Sequence, residues 1–466
     1  MESIWTKTCR LPEYAPIDHS TAADVAIVGG GLTGLLTARL LKDSGLSVLV
    51  LEKDALGRGA SAFTTAKITS QHGLIYTKLL KTLGTEGARQ YAAAAQKAIA
   101  CYRQLIKKDQ IDCDFSNRPA FLYSTLESET LKQEAESARR LGLPAAFTTE
   151  TELPFPVAGA VRFDNQAQFH PLKFLAGLLP GLTIHTHSEV RKIHGHTLEV
   201  CTPEGSFEVR AKQILLTSHF PTRNVPGFYF LRQHQELSYV LALDHAKPVD
   251  GMYFCIDQNG HSLRSWENLL LAGGLGHRTG KLHPGDSYRQ LWHTIRQWYP
   301  RAAVVAHWSN EDAVPHDGFP FIGPFSVWTP HIYVATGFCK WGMTHAMTAA
   351  TILADKVLNR HDIQHDVFAP QRLHLRAAAG PFFTDAASSV IHLVLQKPFA
   401  PHTKKRAIQK GYGPTCTHLG CTLSWNPADH TWDCPCHGSR YTEDGRLLRG
   451  PASRSLCGLH DSSADL

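Results

Sequence analysis

Residues 24–52 constrain the fold of this chain more than any other stretch, and they read DVAIVGGGLTGLLTARLLKDSGLSVLVLE. The apolar run 25–28 predicts a buried parallel strand, and a turn of the form G-x-G-x-x-G follows it at once. The next residues predict a helix that ends near Gly45, and residues 48–51 predict a second strand with Glu52 at its end. This order predicts a dinucleotide-binding βαβ unit.

The residue types in this unit suit the binding of a pyrophosphate. Gly29 permits a tight turn, Gly31 lets a pyrophosphate approach the backbone, and Gly34 lets the helix pack closely on the strand. The helix N-terminus adds unpaired N–H groups and the positive end of its dipole. Glu52, about 20 residues further on, can accept both hydroxyls of an unphosphorylated adenosine ribose. The alternative is a tight turn in an α/β unit that binds no nucleotide.

Length and charge narrow the classes of protein that this chain can belong to. Its 466 residues predict two or three domains. The net charge of +6 is mild and no long basic run is present, so nucleic acid is not an expected partner. No run of 18 apolar residues predicts a membrane span. Residues 1–23 lack the apolar core of a secretory signal and predict a lead-in arm, which makes the cytoplasm the expected location.

A loop rich in small and hydroxyl residues, 53–61 and 64–73, follows the second strand, where an open α/β sheet binds its ligand. A solvent loop is the alternative. Together with the glycine unit, the pattern VLVLEKDALGRGASAFTTAK resembles the FAD-dependent D-amino-acid-oxidase-like family, which includes sarcosine, glycine and γ-glutamylputrescine oxidases. Residues 317–324, 331–338 and 341–344 resemble the family's return to the flavin. The resemblance covers about residues 20–360.

This resemblance implies a Rossmann-type FAD-binding domain of α/β class and a substrate domain built on an antiparallel sheet, interleaved over residues 1–356. It implies hydride transfer from a C–H beside nitrogen to flavin N5, with a small amine or amino acid as substrate, and it identifies no catalytic residue. The implied FAD contacts are Gly29, Gly31, Leu32, Thr33, Gly34, Glu52, Lys53, Ala60, Ser61, Thr65, Val190, Gly337, Gly342, Met343 and Thr344.

Several elements between these two halves follow from local patterns. Residues 76–141 predict helices, 214–218 a returning Rossmann strand, and 236–243 and 269–274 strands of the second sheet. Residues 163–178 resemble the family's entry from a strand into a helix, with His170 in a structural role. The candidates for lining a substrate pocket are Trp266, Gly274, His277, Arg278 and Lys340, and a surface role for each is equally open.

Four of the 11 cysteines lie within 21 residues near the C-terminus, a density that indicates a metal site. Cys416, His418, Cys434 and His437 follow the spacing C-x-H-x15-C-x2-H, which resembles the Rieske 2Fe-2S signature. The resemblance implies that the two thiolates bind one iron and the two imidazoles the other. Zinc is the alternative, although structural zinc sites usually show C-x2–4-C and H-x3–5-H. Haem c requires C-x-x-C-H, which the chain lacks.

The Rieske resemblance also implies a disulfide between Cys421 and Cys436 that clamps the two ligand loops. Ser439 and Tyr441 match hydroxyl donors to the cluster sulfurs, and residues 450–452 match the proline loop over the cluster. Residues 396–415 are short and basic for the strands that precede the first ligand loop. We therefore expect a linker over 357–400 and an abridged, all-β Rieske domain over 401–466.

The two halves together predict an oxidoreductase acting on CH–NH or CH–NH2 groups. A reduced flavin holds two electrons and a Rieske cluster accepts one at a time, so the cluster would pass flavin electrons to a one-electron acceptor or oxygen. A redox sensor that keeps FAD and the cluster without turnover is the alternative. A Rieske oxygenase is excluded, because the flavin fold uses the space that its iron domain would need.

Overall fold

The computed structural model describes residues 2–223, 225–281, 285–360, 366–372 and 412–456. The helices of this described part are α1 Ile4–Thr8, α2 Leu32–Leu41, α3 Ile75–Asp109, α4 Ser128–Arg140, α5 Pro171–Leu178, α6 Ser287–Trp298 and α7 Gly342–Val357. The strands are β1 Thr21–Val28, β2 Val48–Leu51, β3 Lys67–Ile68, β4 Ser116–Ser124, β5 Ala145–Thr148, β6 Gly159–Gln168, β7 Thr183–His185, β8 Glu189–His194, β9 Thr197–Thr202, β10 Gly205–Leu216, β11 Gln233–Asp244, β12 Met252–Cys255, β13 Ser262–Trp266, β14 Leu269–Arg278, β15 Ala303–Pro315, β16 Phe321–Pro324, β17 Ile332–Thr336, β18 Tyr412–Thr415, β19 Thr422–Asn426, β20 Thr431–Asp433, β21 Arg440–Thr442 and β22 Leu447–Arg449.

The first sheet has the order β16-β17-β10-β1-β2-β7, with β8 and β9 attached to β10. β1 pairs in parallel with both β10 and β2, and its last four residues are buried, as expected for a strand covered on both faces. α2 packs so closely on β1 that a Cβ on Gly34 would lie 2.0 Å from the carbonyl oxygen of Gly29. The predicted Rossmann-type core and its returning strand near 214–218 are confirmed.

The second sheet has the order β15-β11-β14-β13-β12-β4-β6-β3, with β5 paired to β6. It is antiparallel except where β12 pairs with β4. Successive residues of β11 and β15 point to opposite faces. One face of this sheet covers the central cavity, and α6 packs on the other. The antiparallel substrate sheet and the strands expected near 236–243 and 269–274 are confirmed.

The third sheet contains β18 to β22 in chain order, all antiparallel. Its core consists of the four buried cysteines with Leu423, Trp432 and Tyr441. A small all-β domain at the C-terminus is thus confirmed. Most of the predicted linker 357–400, and residues 401–411 and 457–466 of the predicted Rieske domain, lie outside the described residues.

Two sequence expectations are wrong. Residues 1–23 are not a simple lead-in arm, because Trp5 of α1 is fully buried and β1 already begins at Thr21. Residues 76–141 are not helical throughout, since β4 lies between α3 and α4. The apolar run of β4, which ends in Ala-Phe-Leu-Tyr, is buried in the second sheet. The described residues include no helix with the length and apolar character needed to cross a membrane.

Candidate functional site

The glycine turn leaves open space where a dinucleotide phosphate would lie. Gly29 has a φ of +112°, and a Cβ there would come within 2.9 Å of Ser218 N, so only glycine fits. Gly31 is the N-cap residue of α2, and a Cβ on it would meet only Ser61 Oγ, at 3.5 Å. The space above the helix N-terminus is therefore not filled by protein, which fits a pyrophosphate.

Glu52 and the following loop close around this turn. Glu52 Oε2 accepts a hydrogen bond from Gly30 N at 2.7 Å, and Ser61 Oγ accepts one from Leu32 N at 3.0 Å. Burial raises the pKa of Glu52, while N–H donors from Asp54 and Gly30 oppose this effect. Four other residues are predicted to contact the adenosine and pyrophosphate part of FAD. Thr33 is buried in α2 and Val190 is buried in β8. Ala60 directly precedes Ser61, and Lys53 is partly exposed.

The residues predicted to meet the flavin ring lie at the same carboxyl edge of the first sheet as the glycine turn, beyond β10. Gly337 has a φ of +76° at the end of β17, and Gly342 begins α7. Thr344 Oγ1 donates to Thr69 O at 2.7 Å, which joins α7 to the loop after β3. Met343 and Thr65 line the same cavity, whose volume is about 240 Å³. Among the predicted FAD contacts, these two line the cavity, and the residues of the glycine turn do not.

A buried lysine on the wall of this cavity was not singled out by the sequence. Lys67 Nζ donates to Ser262 Oγ at 2.6 Å and to Tyr253 O at 3.0 Å. Burial lowers the pKa of the Lys67 ammonium to about 7, and the nearby charge of Arg264 acts in the same direction. In the sequence Lys67 was part of a small-residue loop, and no local pattern indicated that it would be buried.

Acidic and basic groups cluster at the opposite wall. Lys340 lines the cavity, and its Nζ lies 2.7 Å from Glu236 Oε2. Burial would raise the pKa of Glu236, but the hydrogen bond from His234 and the charge of Lys340 outweigh it and hold that pKa low. Asp312 accepts from Asn310 Nδ2 at 3.1 Å, and burial raises the pKa of Asp312 to about 6. The cavity can therefore take a polar or charged substrate group.

Behind the cavity lies a buried polar chain that the sequence analysis also missed. The Tyr91 hydroxyl lies 2.7 Å from His72 Nδ1 and 3.2 Å from His345 Nε2. Trp341, which lines the cavity, stacks on His72 with ring centroids 5.0 Å apart. Burial lowers the pKa of His72 to about 3, so its imidazole is neutral. The sequence does not reveal this hydrogen-bonded chain, because His72, Tyr91 and His345 come from separate elements.

The two cysteine-containing loops of the C-terminal domain have the same backbone shape. Gly420 N donates to Cys416 O at 3.0 Å, and Gly438 N donates to Cys434 O at 2.9 Å. Gly420 has a φ of +80° and Gly438 a φ of +82°, which lets the chain turn back sharply in each loop. Each loop is therefore a tight turn that carries one cysteine and one histidine.

The donor groups of these loops fit a 2Fe-2S cluster. Cys416 and Cys434 are buried, and the His418 and His437 rings lie 5.1 Å apart. Nδ1 of each histidine is buried and has no hydrogen-bond partner among the described residues. A buried nitrogen without a partner costs free energy unless something binds it. Two such nitrogens beside two thiols match the donor set of a Rieske cluster.

Hydroxyl groups and a disulfide surround the four donors. The Tyr441 hydroxyl lies 3.3 Å from Cys416 Sγ, and Ser439 Oγ accepts from Ala452 N at 2.9 Å. Hydrogen bonding from Cys434 and Tyr441 lowers the pKa of Cys416 to about 6 despite its burial. Cys421 and Cys436 form a disulfide that links the two loops. This arrangement matches the one that the resemblance implied.

The C-terminal domain packs directly on the second sheet. Asp429 accepts from Tyr288 Oη at 2.9 Å and from Ser309 Oγ at 2.6 Å. Asn426 Nδ2 donates to Tyr239 Oη at 3.2 Å. The domain therefore rests on α6, β11 and β15, on the face opposite the cavity.

The edge of the C-terminal domain that carries His418 and His437 faces the FAD-binding part. Phe230 lies edge-on to both rings, with centroids 5.1 Å from His418 and 5.3 Å from His437. Arg278 donates to Cys436 O at 2.9 Å. A Cβ on Gly438 would lie 2.3 Å from Gln235 Cγ, so the second ligand loop contacts β11 closely. No sequence pattern predicted this contact.

The structure separates the five candidates for lining a substrate pocket. Gly274 and Lys340 line the cavity. Trp266 does not, because it packs on Trp5 and donates to Asp114 Oδ2 at 3.1 Å. Neither His277, which stacks on Tyr239, nor Arg278, which contacts the C-terminal domain, lines it. His170 has the expected structural role, since it caps α5 by accepting from Lys173 N.

Comparison with known proteins identifies both parts. The family of FAD dependent oxidoreductases matches residues 24–356, and the Rieske [2Fe-2S] domain matches residues 394–460. The chain belongs to the FAD-dependent oxidoreductase family and carries a C-terminal Rieske domain. The first part binds FAD and the second binds a 2Fe-2S cluster.

Individual relatives agree with this assignment. The chain is 34% identical to YhfW of Bacillus subtilis (strain 168), named as a Rieske 2Fe-2S iron-sulfur protein, over 98% of this chain and 97% of that one. It is 25% identical to the γ-glutamylputrescine oxidoreductase of Escherichia coli (strain K12), over 77% of this chain and 89% of the relative. The structure of glycine oxidase from Geobacillus kaustophilus matches 76% of this chain and 99% of its own, with a TM-score of 0.64 at 20% identity. That structural likeness shows the fold alone.

Proposed function

We propose that this protein oxidises a small amine or amino acid at FAD and that the electrons leave through its Rieske cluster to a one-electron acceptor. The observation that carries this proposal is the contact of Phe230 with both His418 and His437. A cluster that only stabilised the fold of a small domain would not need its two histidine ligands to lie against the flavin-binding part. The predicted cytoplasmic location stays a prediction.

A short series of contacts supports electron transfer within the chain. Gly438, in the second ligand loop, packs on Gln235. The Oε1 atom of Gln235 lies 2.9 Å from His219 Nε2, and Thr336 Oγ1 donates to His219 O at 2.8 Å. Thr336 directly precedes Gly337, which is predicted to meet the flavin. The path from the cluster loop to the flavin loop therefore runs through three side chains, those of Gln235, His219 and Thr336.

The substrate class is supported by the cavity and by the relatives. Bound FAD supplies the two-electron oxidation of a C–N bond, and the protein supplies orientation and electrostatics. Asp312 and the Lys340–Glu236 pair give the cavity groups that can hold an ammonium or a carboxylate in place. Two proteins that this chain resembles are named for γ-glutamylputrescine and glycine, both of which carry an amine.

The test is rapid mixing of the full chain with a panel of amines in the absence of oxygen. Flavin bleaching is followed by absorbance and cluster reduction by EPR. We expect the cluster signal to appear as the flavin reoxidises, and to be absent from Cys434→Ser, which loses a thiolate ligand. Cys113→Ser makes the same change at a buried cysteine of the FAD-binding part and should leave the signal intact.

A second pair of variants tests the contact between the domains. Phe230→Ala removes the ring that touches both histidines and should slow cluster reduction while leaving flavin bleaching unchanged. Phe228→Ala, two residues away at a half-exposed position, is its matched control. The proposal is wrong if the flavin bleaches while the cluster stays oxidised and Cys434→Ser turns over at the full rate with every acceptor.

A further inference from the structure

A second cavity adjoins the one that holds the predicted flavin contacts. Its volume is about 330 Å³, and it lies at the turn between β12 and β13. Cys255, Asp257, Asn259 and Gly260 line both cavities, so this turn alone separates them. The turn is held in place by backbone bonds, with Gly260 N donating to Asp257 O at 2.9 Å. The two cavities therefore meet at this turn, beside Asp257.

Aromatic side chains form one wall of the second cavity. Phe155 and Trp298 have ring centroids 4.3 Å apart, and His261 meets Trp298 edge-on at 5.1 Å. Tyr123 adds a third hydrocarbon ring, 5.9 Å from Phe155. Burial lowers the pKa of His261, so its imidazole adds no positive charge at neutral pH. The faces of such rings attract cations.

The opposite wall carries a carboxylate that is hydrogen-bonded but has no cationic partner. The Asp257 oxygens accept from the Ser124 hydroxyl and from both N and Oγ1 of Thr125, the latter two at 2.8 Å. No lysine, arginine or histidine nitrogen in the described part of the chain lies within 4.0 Å of them. Burial would raise the pKa of Asp257, but these donors outweigh it and lower the pKa. Asp257 is therefore ionised at neutral pH.

The combination of an ionised carboxylate with aromatic walls selects for one kind of ligand. An ammonium group gains from both, because Asp257 neutralises its charge and the rings contact its carbon atoms. A carboxylate in the same place would face Asp257 at close range and be repelled. A purely apolar group would leave the Asp257 charge without a partner.

We propose that the second cavity binds a distal ammonium group, primary or methylated, of a substrate whose other C–N bond is oxidised in the first cavity. This inference rests on the proposed function and narrows its substrate to an alkyl chain with two nitrogen groups, such as a diamine. Asp257 and Trp298 are the specificity-determining residues. Neither is expected to take part in the oxidation itself.

The first test compares two amines that differ only at the distal end. The FAD-loaded full chain is mixed anaerobically with 1-aminobutane or 1,4-diaminobutane, and the concentration for half-maximal flavin bleaching is measured. We expect the diamine to be favoured by about tenfold, a difference of about 1.4 kcal/mol. Asp257→Asn should remove this preference. Asp112→Asn, the same change at an exposed residue outside both cavities, should preserve it.

The second test measures binding without turnover. Tetramethylammonium is titrated by calorimetry into the wild type, Asp257→Asn and Trp298→Leu. We expect saturable binding by the wild type and a loss of at least about fivefold in affinity in each variant. Trp298→Leu keeps the hydrogen bonds of Asp257, so its loss cannot come from a disturbed turn. Comparing 1,4-diaminobutane with its trimethylated derivative then distinguishes a primary from a methylated ammonium.

The outcomes separate this inference from the proposed function. If tetramethylammonium binds through Asp257 while no amine bleaches the flavin, the oxidation is wrong and the cation subsite stands. If amines bleach the flavin but the diamine preference is absent, or survives Asp257→Asn, the cation subsite is wrong. Equal weakening of both amines by Asp257→Asn also contradicts it, because the distal group then has no special role.

Discussion

Glu311 and Asp312 are consecutive residues of β15, yet their side chains face different sites. Asp312 lines the cavity beside the predicted flavin contacts. Glu311 lies on the other face, where a Cβ on Gly438 of the second cluster loop would be 3.5 Å from its Oε1. Because successive strand residues alternate, one strand forms a wall of the substrate cavity and part of the Rieske interface. The second sheet is therefore the partition between this cavity and the Rieske domain.

The glycine turn makes a prediction that separates cofactor binding from folding. Gly31→Val places atoms where only Ser61 Oγ is near, at 3.5 Å, so the protein should fold and purify with less than about a tenth of the normal flavin. Gly34→Ala puts a Cβ 2.0 Å from Gly29 O and should prevent folding or yield little soluble protein. Absorbance gives the flavin content, and circular dichroism gives the fold. A Gly31→Val protein with full flavin content would overturn the assignment of this turn.

The attachment of the Rieske domain depends on a buried charge network. Arg440 donates to Asp429 at 2.7 Å and to Asp433 at 3.0 Å, and Asp429 also binds Tyr288 and Ser309. Asp429→Ala leaves Arg440 with one fewer carboxylate and should cost about 3–5 kcal/mol.

Hydrogen exchange followed by mass spectrometry would detect this loss as faster exchange in β19 to β21. Glu443→Ala, a change at the nearby turn between β21 and β22, is the control. Unchanged exchange in Asp429→Ala would mean that the network does not hold the interface.

Local sequence patterns predicted those features whose residues are neighbours in the chain. The glycine turn with Glu52, and the four cluster ligands from Cys416 to His437, each lie within one short segment, so spacing alone defines their chemistry. The sequence could not place Trp266, because its partner Trp5 lies in a segment interpreted as an arm. Phe230 and Asp257 could not have been found, since each gains its role from a distant element that no periodicity connects to it.

The hydroxyl of Tyr441 beside the cluster ligands should raise the reduction potential of the cluster, so a variant without it should have a lower potential. The Tyr441 hydroxyl lies 3.3 Å from Cys416 Sγ, and hydrogen bonds to sulfur stabilise the reduced, more negative cluster. Tyr441→Phe removes a bond worth about 1 kcal/mol, which is about 40 mV for a one-electron couple. The potential should therefore fall, as measured by EPR-monitored titration. Tyr123→Phe, far from the cluster, should leave it unchanged, and a rise in Tyr441→Phe would contradict this reasoning.

Buried neutral histidines should make the free energy of unfolding fall as the pH is lowered. Burial lowers the pKa of His72 to about 3 and the pKa of His219 to about 4, whereas an unfolded histidine titrates near 6.5. Between these values the unfolded chain binds a proton that the folded chain does not, so stability falls as the pH drops below about 6.5. Each such histidine contributes up to about 1.4 kcal/mol per pH unit.

His72→Gln isolates one of these contributions. Denaturant unfolding of the wild type and the variant is compared from pH 8, where histidine is neutral in both states, down to pH 5. The variant loses the contacts of His72 with Tyr91 and Thr69, so it should be less stable at pH 8. The gap should then narrow by about 1.4 kcal/mol for each pH unit below about 6, because only the wild type has this proton to bind on unfolding. A gap that stays constant over this range would mean that His72 is already protonated in the folded protein.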